Sequence, residues 1–75
     1  MELSTELSVG EKVKIIMKRQ GMTMTELAAA TNQTRQNLSN KMTRDNFTEE
    51  DMKSLAKALG CVVSISFQLP DGTTL

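Results

Sequence analysis

The chain has 75 residues, a formal net charge of zero, 39% hydrophobic and 24% charged residues, a balance that fits one small globular domain. It has no His and a single Cys, Cys61, which excludes His-based triads, His-ligated zinc, an intrachain disulfide and a Cys-rich metal centre; no cofactor, metal site or catalytic residue is expected, and no enzyme. No stretch is apolar enough to span a bilayer and residues 1–7 lack the regions of a secretory signal, so a cytosolic protein without membrane association is expected.

Charge is unevenly placed. Residues 11–44 carry Lys12, Lys14, Lys18, Arg19, Arg35, Lys41 and Arg44 against Glu11 and Glu26. The rest carries Lys53 and Lys57 against Glu2, Glu6, Asp45, Glu49, Glu50, Asp51 and Asp71. A basic part and an acidic part in one chain can orient it on a polyanion.

Residues 1–7 are expected as an N-terminal arm. Ser8-Val9-Gly10-Glu11 has the form of a capping box, and Val9, Val13, Ile16 and Met17 follow at helical spacing. Gly21 stops this helix, because glycine accepts the left-handed conformation past a helix end. A second box, Thr23-Met24-Thr25-Glu26, opens a short helix through Leu27, Ala28, Ala29 and Ala30. It ends at Thr31-Asn32, where Asn tolerates the positive φ of a sharp turn.

Thr34 is an N-cap residue for the next helix, expected over 34–43. Leu38 and Met42 form its inward stripe, while Arg35, Gln36, Asn37, Ser39, Asn40 and Lys41 are polar. Residues 43–47 read as a loop, and Phe47 is placed to pack against Met52 as a hydrophobic staple around the Thr48 cap. Glu49, Glu50 and Asp51 suit the first turn of a fourth helix, whose inward face is Met52, Leu55, Ala56 and Leu59 and whose end is Gly60. In residues 61–69 the period changes to two: Val63, Ile65, Phe67 and Leu69 alternate with Ser64, Ser66 and Gln68, which predicts a strand with one buried face. Pro70-Asp71-Gly72 is a turn signal.

The helix at 34–43 is the informative element. A major groove admits one α-helix, and a helix presented to it must be held by a narrow stripe with its other face free. Arg35, Gln36, Ser39 and Asn40 are side chains able to bond base edges: Arg matches the two acceptors of guanine, and Gln and Asn match the acceptor and donor of adenine. Asn and Ser are mediocre helix formers, and a face meant only for water usually favours Glu, Lys and Gln. No carboxylate lies among residues 35–40.

Residues 11–60 resemble the lambda-repressor-like helix-turn-helix domain of phage repressors, Cro proteins and the xenobiotic-response-element regulators. The resemblance lies in Met24-Thr25-Glu26-Leu27-Ala28, the turn Thr31-Asn32-Gln33, and Thr34-Arg35-Gln36-Asn37-Leu38-Ser39-Asn40. It implies a mainly α fold, a four- to five-helix bundle, to which the C-terminal β-strand expected at 61–69 is added from outside the resemblance. It implies double-stranded DNA as the partner and a transcriptional regulator, a repressor, as the function. It places core residues at Leu27, Ala28 and Leu38, base contacts at Arg35, Gln36, Ser39 and Asn40, and phosphate contacts at Arg19, Thr23, Met24, Thr34, Asn37, Lys41, Arg44 and Asn46. This chain departs from the family pattern at Met24, where Gln is usual and braces the reading helix or binds phosphate. The run Asn37-Leu38-Ser39-Asn40-Lys41-Met42 with the later Leu69-Pro70-Asp71-Gly72 looks like small regulators of Gram-positive bacteria and their phages.

A lone strand cannot satisfy its own backbone groups. It must pair with residues 73–75, with the arm, or with a second copy. Symmetric pairing gives an antiparallel homodimer through Val63, Ile65 and Phe67, an arrangement that resembles Cro proteins, which dimerise through a C-terminal strand; the alternative is a strand that covers the bundle, with dimerisation elsewhere. The domain plan expected is therefore an arm at 1–7, the DNA-binding domain at 8–60, and a strand and turn at 61–75 serving dimerisation. The competing function is a protein-binding module, an antitoxin or phage adaptor using the same bundle. The scattered Met residues, Cys61 and the Glu49-Glu50-Asp51 run read as core or capping residues, and no small-molecule site is evident.

Overall fold

The computed structural model describes residues 7–75; most of the expected N-terminal arm, residues 1–6, lies outside them. Four helices follow in order: α1 (Val9–Gln20), α2 (Met24–Ala30), α3 (Arg35–Arg44) and α4 (Glu49–Ala58). Each begins where a side chain satisfies the backbone N–H groups that a helix start leaves open. Ser8 and Glu11, Thr23 and Glu26, and Thr48 and Asp51 form reciprocal capping boxes, and the Thr34 hydroxyl accepts from the backbone N–H of Asn37. The ends also follow from residue type: Gly21 (φ 68°), Asn32 (φ 62°) and Gly60 (φ 72°) take the left-handed conformation that turns the chain.

The core is a single cluster of Val13, Met17, Leu27, Ala28, Leu38, Met42, Leu55 and Leu59. Val9, Ile16, Met22, Met24, Phe47, Ala58 and Cys61 pack against it. Helix α3 packs on α1 and α2, and α2 also packs on α4.

Helix α3 runs one residue further than expected and ends at Asp45, a non-glycine residue with φ 52°. The Asp45 carboxylate accepts the backbone N–H of Gly10 at 2.9 Å, tying the end of α3 to the start of α1. Gly10 is buried there: a Cβ on it would stand 3.1 Å from the Met42 carbonyl oxygen. A side chain at residue 10 would crowd this approach and require the Met42 carbonyl to shift by a few tenths of an ångström.

The expected strand at 61–69 does not form. Among the described residues the only β pairing is an isolated antiparallel bridge between Gln68 and Thr74. Phe67 exchanges both backbone hydrogen bonds with Leu75, and Leu69 N–H donates to Thr73, around the turn at 70–72. Residues 62–66 make no backbone hydrogen bond within the described chain. Alternation supplies a face for a sheet, but a strand also needs a neighbour, and residues 73–75 reach only 67–69.

Candidate functional site

The turn between α2 and α3 is held by more than its backbone. The N–H groups of Asn32 and Gln33 donate to the Ala29 and Ala28 carbonyls at 3.1 and 2.9 Å. The Thr31 hydroxyl donates to the Leu27 carbonyl at 2.9 Å, and Gln33 Nε2 donates to Thr31 Oγ1 at 2.8 Å. Gln33 Oε1 in turn accepts from Asn37 Nδ2 at 2.9 Å. This relay links α3 to the carbonyl end of α2. Sequence reasoning left Gln33 without a role; its i, i+4 spacing to Asn37 was the available signal.

Helix α3 is anchored by Leu38 and Met42, both buried. Opposite them Arg35, Gln36 and Asn40 are exposed and Ser39 is half-buried. The i, i+1, i+4, i+5 spacing of these four puts them on one face, and Gln36 Nε2 donates to Asn40 Oδ1 at 3.1 Å. The face contains one fixed positive charge, two amides and a hydroxyl, and no carboxylate.

The expected phosphate-binding residues fall into three kinds. Arg19, at the end of α1, and Arg44, at the end of α3, are exposed and make no salt bridge among the described residues. Thr23 and Thr34 are the N-caps of α2 and α3, where open backbone N–H groups and the helix dipole suit an anion; Asn37 and Asn46 are exposed beside them or beyond the end of α3. Met24 and Lys41 are different. Met24 packs its side chain against the core, which leaves only its backbone N–H for a phosphate. Lys41 Nζ is 2.8 Å from Asp51 Oδ1, so its charge is already engaged in joining α3 to α4.

Asp51 therefore has two tasks. It takes the Lys41 ammonium on one oxygen and the Thr48 backbone N–H on the other, at 3.0 Å. The Lys41 hydrogen bond first, and the Thr48 N–H second, hold its carboxyl below the ordinary value of 3.8. A lowered folded-state pKa stabilises the protein at pH above the unfolded value and loses that contribution as pH falls through the folded one. Stability measured by urea unfolding is expected to fall below about pH 4, with a smaller loss in Asp51→Asn; an unchanged acid profile in that variant would show that the pair does not stabilise the fold.

Among the described residues no group of three acidic, Cys or His side chains could hold a metal ion, and no helix is long and apolar enough to cross a membrane. The family model of the Cro/C1-type HTH DNA-binding domain matches residues 12–64, a span that begins in the first turn of α1 and passes the end of α4. No curated protein and no solved structure matches the chain.

Proposed function

The chain belongs to the Cro/C1-type helix-turn-helix DNA-binding domain family, and from that premise we propose that it is a sequence-specific transcriptional repressor that reads the major groove with α3. The observation that carries this reading is the outward face of α3, free of carboxylates and held from behind by only Leu38 and Met42. Arg35, Gln36, Ser39 and Asn40 contact base edges. Arg19, Arg44, Asn46, Asn37 and the open starts of α2 and α3 at Thr23, Met24 and Thr34 fix the register on phosphate. Lys41 acts at one remove, by setting α3 against α4 through Asp51. Arg35→Ala and Gln36→Ala are each expected to weaken binding to the preferred site by about 1–3 kcal/mol, with little change in affinity for random DNA. Unchanged affinity for the preferred site in both variants contradicts the reading and points to the protein-binding alternative.

The functional unit in this reading is a homodimer. Residues 62–66 make no backbone hydrogen bond among the described residues, and open backbone groups are the kind of edge that templates pairing with another chain. Ile65 is 47% and Phe67 73% exposed, whereas Val63 is half-buried. A second copy pairing antiparallel along 62–66 supplies the missing neighbour and covers Ile65 and Phe67. It also sets two α3 helices on one DNA face, with half-sites about 34–36 Å apart. Sedimentation equilibrium is expected to give a dimer, and Phe67→Asp to shift it to monomer. A wild-type monomer at high concentration contradicts this assembly.

A further inference from the structure

We infer that Gln36 and Asn40 read DNA as one coupled unit, with Gln36 selecting adenine and Asn40 selecting a base that offers acceptors, guanine or thymine. This deepens the DNA-reading function proposed above and rests on it. The two side chains lie four residues apart on α3, both exposed, and Gln36 Nε2 donates to Asn40 Oδ1 at 3.1 Å. Gln to Asn bonds at this spacing stabilise helices in their own right. Nothing else on α3 competes: the helix has no carboxylate, and its other amide, Asn37, is bound to Gln33 on the side of α2.

The bond changes what each amide has left to offer. A free primary amide presents an acceptor oxygen and two donor hydrogens. Gln36 spends one hydrogen on Asn40 and keeps its oxygen and one N–H, the pattern that matches the amino group and N7 of adenine. Asn40 has one of the two acceptor sites on its oxygen engaged and keeps both N–H donors. Alone it would match adenine as well; paired, its freer groups are the donors, which match the O6 and N7 of guanine or the O4 of thymine. The pair also holds the long Gln36 side chain before DNA arrives, so discrimination by Gln36 depends on Asn40.

The test is binding by the full chain to its preferred site, found by selection from random DNA, and to single-base variants of that site. The two positions are identified by the discrimination lost in Gln36→Ala and in Asn40→Ala. The wild type is expected to prefer adenine at the first and guanine or thymine at the second, each by about tenfold. Asn40→Asp still accepts from Gln36, so adenine preference persists at the first position. At the second, a carboxylate that can only accept turns the preference to cytosine or adenine, which offer an amino donor. Asn40→Ala loses discrimination at the second position and about twofold at the first, the worth of an i, i+4 amide pair. Matching thermal unfolding of all variants excludes a folding defect. Full adenine discrimination at the first position in Asn40→Ala, or adenine preferred at both positions by the wild type, overturns the coupled unit while leaving DNA reading intact. A wild type that enriches no sequence contradicts the DNA-reading function and the pair with it.

Discussion

Leu38→Ala is expected to destabilise the protein by about 2–5 kcal/mol, the range for emptying a buried leucine site. Leu38 has no exposed surface and is one of only two buried residues on α3, the other being Met42. The helix packs on both α1 and α2, so the cavity opens where three helices meet. A 75-residue domain has a total stability of roughly 4–11 kcal/mol at ordinary values per residue, and the loss is a large share of it. Urea unfolding gives the number directly. The contrast with Arg35→Ala is the informative part: Arg35 is exposed, and its removal is expected to change stability by less than about 0.5 kcal/mol while impairing recognition. A loss under about 1 kcal/mol at Leu38 would mean that the site collapses around the smaller side chain or that α3 is not anchored there.

Affinity for DNA is expected to fall by about 150-fold between 50 and 200 mM salt. The estimate takes Arg19 and Arg44 as the phosphate-binding cations of each copy and a slope of about −0.9 per neutralised phosphate, with two copies on the site. Arg19→Ala is then expected to reduce the slope by about 2 in the dimeric complex and to weaken binding to all sequences alike. Lys41→Ala behaves otherwise, because its ammonium is bound by Asp51 at 2.8 Å. It is expected to leave the slope unchanged and to lower stability. Titrations at four or five salt concentrations separate the two outcomes. Equal slope changes at Arg19 and Lys41 would mean that Lys41 leaves Asp51 for phosphate in the complex.

Much of the helical framework was legible because its determinants are local. The boxes at Ser8–Glu11 and Thr23–Glu26, the cap at Thr34 and the turn at Asn32 each lie within four residues and were found as written. The 3.6-residue spacing of Val13 with Met17, Leu38 with Met42, and Leu55 with Leu59 marks the residues that are buried. The face of α3 was legible for the same reason, since its polar character and its two anchors are properties of ten consecutive residues.

What was missed depends on contacts between distant residues. Asp45 reads as one polar loop residue, and only its bond to Gly10, 35 positions away, shows that it closes α3 onto α1. Gly10 reads as filler inside a capping box, yet its missing Cβ eases the approach of α1 to the Met42 carbonyl. Lys41 reads as a free cation on a basic stretch, and Asp51 as one of three capping acids, until their pairing joins α3 to α4. The alternation at 61–69 was real as a pattern but specified no partner, and among the described residues only 67–69 finds one.

The central claim is that α3 reads a DNA sequence, and selection of bound sites from randomised DNA tests it most directly. The account predicts an enriched inverted repeat whose half-sites are about one helical turn apart, in which Arg35→Ala relaxes one position in each half. Enrichment of no sequence, or of a sequence unaffected by substitutions at Arg35, Gln36 and Asn40, would contradict it.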